Sequence, residues 1–78
     1  MNSFKTELFD VSFEEPTFGQ DHPCVTITHV KSDRYLDFFT LASLCIEVDD
    51  MIQDGSIDAQ EAIKIISKSA SFFILNGE

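Results

Sequence analysis

The sequence predicts an α+β fold: a β-hairpin packed against an antiparallel two-helix hairpin, in the order β-β-α-α. Three observations predict it. Apolar and polar residues alternate with period two at Phe9, Val11 and Phe13, and again at Val25 and Ile27. The second half of the chain carries two apolar patterns of helical period. Gly55 separates those two patterns, as a glycine that ends a helix does. With 78 residues, 44% apolar content and eight phenylalanines, residues 1–78 make a single small acidic domain with material for one modest core.

Residues 4–14 read as the first strand. Phe4, Thr6 and Leu8 run in the opposite phase to Phe9, Val11 and Phe13, so the pair Leu8-Phe9 marks a bulge or the true strand start. Residues 15–23 form a loop with Pro16, Gly19 and Pro23 as breakers. Phe18 is its only large apolar side chain and is expected to tuck beneath it. Residues 24–30 are β-branched and make the second strand, with Val25 and Ile27 on one side and Thr26 and Thr28 on the other. A lone hairpin is unstable in water, so the helices are expected to cover its phenylalanine-rich face. Its open edges leave room for a homodimer.

Ser32 or Asp33 is expected to cap a first helix running from about Arg34 to Gln53. Its inner face reads Phe38, Leu41, Ala42, Cys45, Val48 and Ile52. Thr40, Ser43, Glu47, Asp50 and Asp54 gather on its back. A second helix runs from about Asp58 to Leu75, with Ala59, Ala62, Ile63, Ile66, Ala70 and Phe73 as its inward stripe. Ile65, Phe72 and Leu75 fall outside that stripe, which calls for cover from the sheet or from a second subunit. Asn76-Gly77 ends the helix.

Fourteen acidic residues against five basic ones give a formal charge of −9. Unpaired buried carboxylates are too costly, so this excess is solvated. Direct binding to nucleic acid or anionic lipid is disfavoured, and a basic protein is the natural partner. No run of about 18 apolar residues spans a membrane. The start, Met1 to Glu7, lacks the pattern of a signal peptide. Cys24 and Cys45 lie far apart and read as reduced, buried thiols of a cytoplasmic protein.

The charge concentrates in Glu47 to Glu61, fifteen residues with six carboxylates and no Lys or Arg. Asp50, Asp54, Gly55, Ile57, Asp58 and Glu61 fall at positions 1, 5, 6, 8, 9 and 12 of a calcium loop, with the Ser56 carbonyl at 7. This stretch resembles an EF-hand loop, which implies calcium held between two helices. Position 3 departs from the pattern, because Ile52 has no oxygen to offer. Helix ends explain half of the same residues without metal: Gly55 as a stop, Asp58 as N-cap and Glu61 as its capping-box partner. Ile57 stands ready to staple against Ala62.

Glu47, Asp49, Asp50 and Asp54 are left over, at the end of a helix that already carries partial negative charge. With Asp37 they read as a display of carboxylates that imitates a nucleic-acid backbone. The expected function is a small acidic inhibitor that occludes the basic surface of a nucleic-acid-binding protein. In size and charge it is similar to phage anti-CRISPR proteins and other nucleic-acid mimics, and to toxin immunity proteins. The expected partner-binding residues are Asp37, Glu47, Asp49, Asp50, Asp54 and Asp58. The alternatives are a divergent calcium-binding helix pair and a non-catalytic adaptor using Phe72 and Ile65. His22, Cys24 and His29 match no zinc spacing, and no nucleophile elbow or phosphate loop is present. No enzyme activity, metal or cofactor is expected.

Overall fold

The computed structural model describes residues 2–19 and 22–76. The elements are β1 (Asn2–Lys5), β2 (Phe9–Glu14), β3 (Cys24–His29), β4 (Tyr35–Phe38), α1 (Leu41–Gln53) and α2 (Ala59–Leu75). The strands form one antiparallel sheet in the order β1-β2-β3-β4. Both helices pack on one face of it, and the α+β class expected from the sequence holds. The expected hairpin is a four-stranded meander, for two local reasons.

The first lies at Thr6–Phe9. The Thr6 N–H donates to the Phe9 carbonyl at 2.8 Å, and the Phe9 N–H donates to Thr6 Oγ1 at 3.1 Å. This tight turn folds residues 4–14 back on themselves, so the phase break at Leu8-Phe9 is a true strand start. The second lies at Lys31–Asp33, where a helix cap was expected. The Asp33 N–H donates to the His29 carbonyl at 2.9 Å, and the His29 N–H to the Arg34 carbonyl at 2.8 Å. Asp33 takes φ +61°, a left-handed conformation that short polar side chains tolerate. Ser32 hydrogen-bonds to His29 Nδ1 at 2.9 Å. These residues close a hairpin, and Tyr35 to Phe38 pair with Thr28 to Val25.

The first helix therefore starts at Leu41, not near Arg34. Thr40 is its cap, and its hydroxyl accepts from the Ser43 N–H at 3.2 Å. Phe38 anchored the expected apolar stripe but lies on β4, buried opposite Val25. Without it the stripe rotates. Leu44 and Val48 are fully buried, with Leu41 and Met51 partly buried beside them. Ala42 and Ile52, expected inside, are exposed, and Cys45 is half-buried.

Helix α2 keeps its expected span but also turns. Its buried residues are Ala62, Ile65, Ser69, Phe72 and Phe73. Ile65 is buried in this chain's own core, and Phe72 packs on the sheet, with the Phe72 and Phe13 rings 5.1 Å apart. Ile65 is thus fully buried, and Phe72 keeps only a narrow exposed edge, so neither is the broad open surface expected of it. Ile63, expected inside, is 66% exposed. Full burial of Phe73 alone contributes about 1.5–3 kcal/mol. The Asn76 side chain caps the helix by donating to the Phe72 carbonyl at 2.8 Å. The Gly77 half of the expected stop lies outside the described residues.

Phe18 projects from its loop fully exposed, contrary to the tucked position expected of it. Among the described residues, no helix is long and apolar enough to cross a membrane.

Candidate functional site

Helix α1 ends in a Schellman-type stop. The Ser56 N–H donates to the Met51 carbonyl at 2.9 Å and the Gly55 N–H to the Ile52 carbonyl at 3.2 Å. Gly55 has φ +83°, which a side chain at this position would strain. Asp54 is the C-cap residue, and its carboxylate accepts the Ser56 N–H at 2.8 Å and the Ser56 hydroxyl. Those two bonds hold the Asp54 carboxyl below the ordinary aspartate range. Asp58 caps α2 by accepting the Glu61 N–H at 2.8 Å. Glu61 does not return the bond as a capping box requires. Its Oε2 is buried with no hydrogen-bond partner.

The last two turns of α1 thus hold Glu47, Asp49 and Asp50, and the last turn has no base. Asp49 and Asp50 are exposed, and Asp49 accepts from Gln53 Nε2 at 2.9 Å. Glu47 is half-buried on the flank. One turn upstream of Asp49 and Asp50, on the same outer face, Ile46 is 66% exposed. Among the described residues there is a single ion pair, Lys5–Asp10 at 3.8 Å, on the far strands of the sheet. The α1 terminus is therefore a capped display of carboxylates without cationic partners among the described residues, with Ile46 and Ile52 exposed beside them.

Asp37 does not belong to that display. It lies on β4, opposite Thr26, and accepts the Thr26 hydroxyl at 2.6 Å. Strand alternation puts both side chains on the sheet face away from the helices. A shallow concavity there is lined by Glu14, Cys24, Thr26, Tyr35 and Asp37, among others. Burial, together with the Asp37 and Glu14 carboxylates, pushes the Cys24 thiol up from its ordinary value, so it stays neutral. Sequence reading missed this second acidic face. Counting β3–β4 register from the Lys31–Asp33 turn was the signal that leads to it.

The turn residues do not fit a calcium loop. Ile52 occupies the third position, and the Asp54 and Asp58 carboxylates are turned to backbone N–H groups of their own turns. Among the described residues no three His, Cys, Asp or Glu side chains converge as metal ligands do. Cys24 and Cys45 are free thiols, the first buried and the second half-buried. Comparison of the chain with protein-family models, with curated proteins and with solved structures gave no match.

Proposed function

We propose that this protein is a small acidic inhibitor that occludes the basic, nucleic-acid-binding surface of a partner protein. The observation that carries this reading is the end of α1, where Asp49, Asp50 and Asp54 stand on a firmly stopped helix with no base in its last turn. Glu47 and Asp58 flank them. Asp37, on the sheet face away from the helices, is not counted in this surface.

A helix end that carries partial negative charge is a poor place for three carboxylates, so a cation from outside stabilises them more than solvent does. Opposite fields speed association and select the partner. Ile46 gives the patch an apolar centre that charge alone lacks, and buried apolar anchors carry much of the energy at interfaces. The mechanism is steric and electrostatic occlusion without chemistry of its own, as in the anti-CRISPR and immunity-protein classes that the size and charge bring to mind. The protein acts in the cytoplasm, where Cys24 and Cys45 remain reduced.

The test is capture of partners from host extract at low and high salt, using the native protein and an Asp49→Lys/Asp50→Lys double variant. A basic nucleic-acid-binding protein should be retained at low salt, released at high salt and lost with the double variant. Retention of the same partner by the double variant would remove this patch as the contact.

A further inference from the structure

A groove of about 690 Å³ runs between β1 and the C-terminal half of α2, far from the α1 terminus. Its floor is aromatic: Phe4 stacks on Phe13 at 5.7 Å, and Phe13 meets Phe72 at 5.1 Å. Leu75, 83% exposed, forms the apolar end of one wall. Among the described residues Lys68 is the sole charged side chain lining the groove, and its Nζ reaches over the Phe4 ring at 5.2 Å. On a protein of charge −9, a cation over an apolar floor is the reverse of the acidic surface at α1.

The other wall is a strand edge, and its hydrogen-bonding groups can be assigned. The Thr6 N–H bonds to the Phe9 carbonyl, so Thr6 and Phe9 form a bonded pair of the β1–β2 ladder. Antiparallel ladders alternate bonded and non-bonded pairs. With Phe4 opposite Val11 and Asn2 opposite Phe13, those two are bonded pairs, whereas Ser3–Ser12 and Lys5–Asp10 are not. The N–H and C=O of Ser3 and Lys5 therefore point away from β2, to the open edge of the sheet. Strand alternation sends the Ser3 side chain to the face away from the helices, yet Ser3 lines the groove. Its backbone is what the groove meets.

We infer that this groove binds an extended peptide as a fifth strand beside β1. The peptide takes the free N–H and C=O groups of Ser3 and Lys5. Its groove-facing residues, every second one, are apolar against Phe4, Phe72 and Leu75, with one carboxylate placed for Lys68. Edge addition of this kind draws affinity from main-chain bonds and selectivity from alternate side chains. A second copy of this chain fits less well. Both copies carry −9, and the repulsion between them opposes pairing of two chains at this edge. The opposite edge offers no equivalent, since the concavity beside β4 is lined by the Glu14 and Asp37 carboxylates. This site is independent of the acidic patch.

The test is selection of displayed random heptapeptides on the immobilised full chain, followed by titration of the enriched peptides in synthetic, fluorescein-labelled form. Two variants accompany it. Ser3→Pro removes an edge N–H that the β1–β2 ladder does not use. Lys68→Glu reverses the charge of an exposed side chain and leaves the fold intact. Enriched peptides should alternate apolar residues with an Asp or Glu in the same phase. Each variant should weaken them by roughly tenfold or more, with Lys68→Glu restored by an Asp/Glu→Lys change in the peptide. Absence of enrichment overturns the proposal, as does enrichment of peptides that bind both variants as well as the native chain. A native chain that runs as a dimer on gel filtration, and as a monomer with Ser3→Pro, overturns it in favour of self-pairing.

Discussion

The two helices treat negative charge in opposite ways. Helix α2 begins with Asp58 and Glu61, where unpaired N–H groups and the helix dipole favour carboxylates. Helix α1 ends with Glu47, Asp49 and Asp50, where the helix dipole already presents partial negative charge, and the last turn holds no base. Only a few residues of connection separate the two ends. Folding accounts for Asp58 as a cap and Asp54 as a turn acceptor, and gives Asp50 no such role. The contrast separates carboxylates that serve the fold from carboxylates that cost it something, and the second set is where a partner is to be sought.

Changes at the two ends should accordingly have opposite signs. The largest effect belongs to the α2 cap: Asp58→Ala removes the acceptor of the Glu61 N–H and should destabilise the chain by about 1 kcal/mol in urea unfolding. A stability equal to the native chain's would erase the distinction between the helices. At the α1 end, Asp50→Lys should raise stability by about 0.3–1 kcal/mol at low salt, because it puts a cation where the dipole favours one. The gain should fade with added salt. If Asp50→Lys proved destabilising, Asp50 would be serving the fold after all.

The smallest effect is a pH dependence at Asp54. Its folded pKa is lowered from the ordinary 3.8 by the bonds from Ser56. A depressed carboxylate contributes stability that is present above its unfolded pKa and lost as pH falls through its folded pKa. Between neutral pH and pH 5, native and Asp54→Asn proteins should therefore differ by a constant amount. Below about pH 4 the difference should shrink, as read from paired urea melts. A difference unchanged down to pH 2 would show that the Asp54 charge plays no part in the turn.

How far these features are legible in the sequence depends on how local their causes are. The Asp58 cap and the Gly55 stop each rest on bonds within a few residues of one another, and residue type and spacing reveal them. The alternation of β2 and β3 is legible for the same reason. Asp37 shows where legibility fails. Tyr35-Leu36-Asp37-Phe38 is four residues long, and Phe38 lies three before Leu41, so it also satisfies a helical period. What places it in a strand is pairing with Val25 to Thr28, about ten residues upstream along the chain. That one contact moved Asp37 off the helix and onto the sheet face away from the helices.

The groove at β1 has the same character. Phe4, Phe13, Phe72 and Lys68 sit too far apart in sequence for any spacing to connect them, and only the packing of α2 across the sheet brings them together. By itself the sequence determined the α+β class, the span of α2, the Asp58 cap, the Gly55 stop and the excess of carboxylates at the end of α1, because each follows from local backbone chemistry or from composition. The tertiary structure alone decided the number of strands, the rotation of both helices, the side on which Asp37 stands and the groove beside β1. Those depend on hydrogen bonds and apolar contacts between segments distant in the chain, which local propensity does not encode.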